Sequence, residues 1–145
     1  NHGKGRLTMK RDMELIRRLL FKIEESGSGQ LKATCFADED PEVVGKHFYL
    51  LEDAGYILPM PEPRRTHSYD PSPSRSRIHF TGAKAFMMEP QLSWAGHEFL
   101  DSIRSDTVWN KVKAEVGDRL KSAPFELIFA LAKKFGGQLL GLDDE

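Results

Sequence analysis

In LSWAGHEFLDSI, residues 92–103, a histidine and a glutamate stand side by side where the apolar spacing predicts a helix. A His-Glu pair on a helix is half of a zinc-hydrolase arrangement, in which two histidines one turn apart reach one metal and the glutamate between them activates water. Here the second ligand position is Asp101, so His97, Glu98 and Asp101 read as HExxD. Aspartate can bind zinc, but a third ligand would still be needed. His2, His47, His67 and His79 have no spacing that nominates one. GKGRL near the start lacks the Lys-Ser/Thr ending of a phosphate-binding loop, GxSxG is absent, and SGSGQ reads as a turn. The sequence therefore nominates no catalytic residue, metal ligand or cofactor, and the expectation is a protein that is not an enzyme and has no small-molecule ligand.

Charge offers a second chemistry. Arg64, Arg65, Arg75 and Arg77 stand against a single Asp70 in PEPRRTHSYDPSPSRSR, residues 61–77, a stretch rich in proline and serine that reads as a long exposed loop. The N-terminal segment adds Lys4, Arg6, Lys10, Arg11, Arg17, Arg18 and Lys22 against Asp12 and Glu14. Of these residues Arg64, Arg65, Arg75 and Arg77, joined by Arg11 and Lys10, are the candidates for contact with a phosphate backbone. A solvated loop is the competing reading. The formal net charge of -1 over 145 residues excludes a uniformly basic surface, so nucleic-acid binding would have to be local. Asp38, Glu39, Asp40 and Glu42 lie where a recognition helix would present its N-terminus to DNA, which conflicts with ordinary major-groove docking.

These residues must be positioned by one compact domain, since 39% hydrophobic and 30% charged residues suit a single core. The lone Cys35 excludes an internal disulfide, fits a reducing cytoplasm and reads as a small core residue. PFELIFALA, residues 124–132, falls short of the ~18 apolar residues of a membrane span.

Helical spacing predicts a first helix over 11–25, with Met13, Leu15, Ile16, Leu19, Leu20 and Ile23 inside. LKATCF suggests a short strand. Asp40 as N-cap, Pro41 at the first position and Gly55 as stop frame a second helix with Val44, Phe48 and Leu51 buried. YILPM, the alternation of Ile78 with Phe80, and residues 85–89 suggest a small antiparallel sheet around the arginine-rich loop. Ser93 is expected to cap a third helix whose Trp94, Phe99, Leu100 and Ile103 lock that sheet to the C-terminal helices, with Gly96 permitting close packing. Asp106 is expected to cap a fourth helix. Ser122 and Pro124 open a last one with Leu127, Ile128, Leu131, Phe135 and Leu139 at helical spacing. Dimerisation through that stripe is compatible with the pattern, although burial within the monomer is the stronger expectation.

The order of these elements matches a winged-helix domain, and LSWAGHEFL resembles the LTxxGxxxL segment that follows the wing in many winged-helix regulators. MKRDMELIRRLL from Met9, HFYLLEDAGYI from His47, LSWAGHEFLDSIRSDTVWNKV from Leu92 and APFELIFALAKK from Ala123 together resemble the bacterial and prophage family called domain of unknown function 2513. The resemblance implies a winged-helix-like fold and carries no activity to transfer. The expected fold class is thus α+β, mainly helical, with a small antiparallel sheet and extra C-terminal helices. Residues 1–8 are expected as a flexible arm, 9–122 as the winged-helix-like domain, and 123–145 as an amphipathic helix and acidic tail packed on it. The expected function is a cytoplasmic DNA-binding or transcription-associated protein acting through a basic wing. The alternative is a non-enzymatic module that binds a protein partner or a second copy of itself.

Overall fold

The computed structural model describes residues 10–27, 31–60, 64–65, 86–87 and 89–141. Five helices carry the fold: α1 (Met13–Ser26), α2 (Pro41–Asp53), α3 (Trp94–Ile103), α4 (Asp106–Val116) and α5 (Phe125–Leu140), with a 3₁₀ segment over Gly117–Ser122. α1 buries all six apolar residues that its spacing predicts. Its N-cap Asp12 accepts hydrogen bonds from the amides of Glu14 and Leu15, satisfying donors that have no partner within the helix. Gly27 at φ 62 ends it. α2 begins on Asp40 and Pro41 as expected and buries Val44, Phe48 and Leu51, but also His47.

The α+β class and its small antiparallel sheet are corrected by this architecture. Extended pairing among the described residues amounts to β1 (Arg64–Arg65) against β2 (Phe86–Met87), with Arg64 opposite Met87 and Arg65 opposite Phe86, plus isolated bridges between Ile57 and Leu92 and at Leu31. Two residues per strand cannot present a face to a core, and the core is built from helices. The winged-helix expectation depended on that sheet and loses its support among the described residues. The strand expected around Ile78 and Phe80 lies outside them. LKATCF is not a strand either: it forms turns closed by Cys35 N–H to Lys32 C=O and Glu39 N–H to Phe36 C=O.

α3 starts on Ser93, whose hydroxyl accepts from Gly96 N–H at 3.0 Å and donates to Gly55 C=O. Its Phe99, Leu100 and Ile103 are buried, but Trp94 is 79% exposed. Trp94 opens the helix and does not lock anything to the C-terminal helices. α4 is capped by Ser105 rather than Asp106, the carboxylate of Asp106 taking the favourable first-turn position instead.

An aromatic cluster fastens α5 to this frame. Tyr56 stacks on Phe99 with centroids 4.7 Å apart, and Phe125 stands edge-on to both at 4.9 and 5.5 Å. Such pairs add about 0.5–1.5 kcal/mol each beyond the area they bury. α5 packs against α3 and α4.

Candidate functional site

The HExxD residues do not converge. His97 and Glu98 are exposed on α3, and Asp101 is held by Arg104 at 2.8 Å. Arg104 also grips Glu24 through two hydrogen bonds of 3.0 and 2.7 Å, and this donation lowers the Glu24 carboxyl below its usual range. Among the described residues there is no group of three or more His, Cys, Asp or Glu placed to hold a metal ion. Cys35 is half-buried against the core, and burial raises its thiol.

Of the candidate phosphate contacts, the side chains of Lys10 and Arg11 are described. Lys10 is exposed. Arg11 turns inward: its Nη2 donates to Ala123 C=O at 2.6 Å, its guanidinium lies over the Phe125 ring at 5.4 Å, and its Nε is buried without a hydrogen-bond acceptor among the described residues. Arg64 and Arg65 sit in β1, while Arg75 and Arg77 fall outside the described residues.

The remaining arginines of α1 are committed to the fold. Arg17 donates through Nε to Ile103 C=O and through Nη2 to Arg104 C=O, both at 2.9 Å, where the α3 carbonyls lack helical partners. The same Nη2 reaches Asp106 in the first turn of α4 at 2.9 Å. One side chain thus closes the α3–α4 junction. Arg18 pairs with Asp38 and Glu39, both at 3.0 Å, and covers Phe36. The acidic cluster ahead of α2 therefore faces the basic flank of α1 and offsets it. Glu14 accepts from Trp109 Nε1 and Lys113 Nζ, tying α1 to α4. Periodicity could not reveal these uses, because each partner is distant in sequence.

Where α4, the 3₁₀ segment and α5 meet, the surface opens into a groove of about 320 Å³. Val116, Ala123, Pro124, Leu127 and Leu131 give it an apolar floor, and Glu115 and Arg119 stand among its lining residues. Of the sixteen residues of α5, Ile128 and Ala132 are the buried ones. Leu127 is 45% exposed on the groove, and Leu139 and Leu140, farther along, are 52% and 72% exposed. The sequence expectation that the Leu127, Ile128, Leu131, Phe135 and Leu139 stripe is buried within the monomer is met at Ile128 and not at Leu127 or Leu139. Helical spacing found the stripe, but only the direction of the Phe125 anchor decides which side of it faces inward.

No helix among the described residues is long and apolar enough to cross a membrane. A Haemophilus influenzae (strain ATCC 51907 / DSM 11121 / KW20 / Rd) protein, described as uncharacterised, is 31% identical over 135 residues, covering 91% of this chain and 99% of its own length. No solved structure matches the chain. The model of the family described as hypothetical protein (DUF2513) matches residues 10–122, which hold α1 to α4 and the 3₁₀ segment, and the chain belongs to that family.

Proposed function

We propose that the chain is a non-catalytic protein-interaction module, acting in the cytoplasm, whose docking face is the outer flank of α5. The observation that carries this reading is the exposure of apolar side chains on a helix that is otherwise well anchored, with Leu127 and Leu131 on an open groove. Apolar surface concentrated in a groove and framed by charged residues is characteristic of a binding site for another polypeptide. The partner it fits is an apolar segment flanked by charges of both signs, matching Glu115 and Arg119.

The commitments of the α1 arginines weigh against the nucleic-acid reading. Arg11, Arg17 and Arg18 would have to abandon carbonyl or carboxylate partners to reach phosphates. The test is a pair of measurements on the full chain. Anisotropy of a labelled mixed-sequence duplex at low salt should not change on adding protein. Immobilised wild-type chain should retain a defined polypeptide, itself or another, that the Leu127→Asp variant does not. Duplex binding that weakens with salt, or identical capture by the variant, would sink the proposal.

A further inference from the structure

We infer that the polypeptide docking on the α5 flank is a second copy of this chain, placed by a twofold axis passing through the groove. The inference rests on the interaction-module reading and names its partner. A twofold interface brings the same patch together with itself, so the patch must be complementary to its own image in shape and in charge. A patch carrying a single sign of charge repels its copy. This one carries a carboxylate and a guanidinium beside an apolar floor, the smallest charge set that satisfies itself under a twofold.

Both charges are free to serve in that way. Glu115 and Arg119 are exposed and have no ion-pair partner among the described residues. Four residues apart on an unbroken helix they would be well placed to pair with each other, as Glu42 and Lys46 do in α2 at 3.7 Å. Gly117, at φ 65, ends α4 between them and sends the chain into the 3₁₀ segment, so the pair does not close. An acid and a base are thereby held apart on one groove. In the twofold arrangement Glu115 faces the partner subunit's Arg119, and Arg119 faces the partner subunit's Glu115. The floors formed by Val116, Leu127 and Leu131 then cover one another.

Sedimentation equilibrium on the full chain, across micromolar concentrations, tests this. Wild type should be in monomer–dimer exchange. Glu115→Arg and Arg119→Glu should each weaken association by about tenfold, because each sets two like charges opposite one another at both symmetry-related contacts. The double variant should associate like wild type, and so should an equimolar mixture of the two single variants. That restoration separates a contact between copies from any damage to the fold. A wild-type chain that stays monomeric, single variants that associate unchanged, or a double variant as weak as the singles would each overturn the inference. If the chain is monomeric yet captures another polypeptide through Leu127, the docking face stands and the occupant is different. If Leu127→Asp changes nothing, both readings fail.

Discussion

Nε2 of His47, buried in α2, accepts the backbone N–H of Asp12 at 2.9 Å, while its Nδ1 lies 2.8 Å from Val43 C=O. Asp12 is the N-cap of α1, so the imidazole joins the start of one helix to the middle of another. Accepting at Nε2 fixes the proton on Nδ1, from which it is donated to Val43 C=O. The ring must stay neutral to do both.

Burial, the largest influence, lowers the His47 pKa below the usual histidine range, against smaller opposing effects from the Val43 carbonyl, Asp12 and Glu39. A base with a depressed folded pKa takes up its proton more readily in the unfolded chain. The stabilisation is complete above about pH 6.5, the unfolded value, and is lost as pH falls through it toward the folded pKa. Urea midpoints should therefore drop between neutral and mildly acidic pH. In His47→Phe this part of the slope should vanish, and stability at neutral pH should fall by about 1–3 kcal/mol, since the Asp12 amide loses its acceptor. A slope that persists unchanged in the variant would assign it to another group.

Gly96 has no room for a side chain. A Cβ there would lie 1.9 Å from the Tyr56 carbonyl oxygen, an atom of the backbone that cannot swing away. Gly96→Ala should destabilise the fold by about 3 kcal/mol or more, despite a gain in helix propensity of about 1 kcal/mol. Gly136 in α5 faces open space, and Gly136→Ala should stabilise by about 0.5–1 kcal/mol. Thermal melts of the two variants should move in opposite directions.

Arg17→Ala should cost about 1–3 kcal/mol, because the Ile103 and Arg104 carbonyls lose a charged donor at a half-buried site. Arg104→Ala should cost less than about 1 kcal/mol, since its pairs with Glu24 and Asp101 are substantially exposed. Equal losses in chemical denaturation would contradict this ranking.

Trp94→Phe should leave stability within about 0.5 kcal/mol of wild type, because the indole is largely in solvent. The emission spectrum should shift to the blue in this variant, leaving only the buried Trp109. Little change in the spectrum would place Trp94 against protein.

Much of the helical scaffold was legible in the sequence. The six apolar residues of α1 recur with one period, and Asp40-Pro41 and Ser93 mark helix starts by chemistry local to the backbone. The expected sheet was a misreading. The apolar YILPM suggested a strand, yet Ile57 and Met60 enter a helical core, and Ile57 contributes only one bridge. Trp94 misled because the first position of a helix can face outward whatever its hydrophobicity. The candidate site was half legible: the α5 stripe is periodic, but the role of Gly117 in parting Glu115 from Arg119 depends on a single positive φ. Arg11 illustrates the limit of reading charge from sequence, since a basic residue near the start turned out to serve Ala123.

That bond between Arg11 and the Ala123 carbonyl spans 112 positions, and Arg17 reaches 86 and 87 positions onward. During synthesis, α1 leaves the ribosome with its polar side chains waiting for acceptors that follow it by 86 to 112 positions. α1 and α2 can meet early, but the surface of α1 that takes in α3 and α4 stays uncovered until those helices have emerged. Nascent chains stopped before Asp106 should therefore be open to proteases along α1, and protection should arrive abruptly as Ala123 and Phe125 clear the exit tunnel.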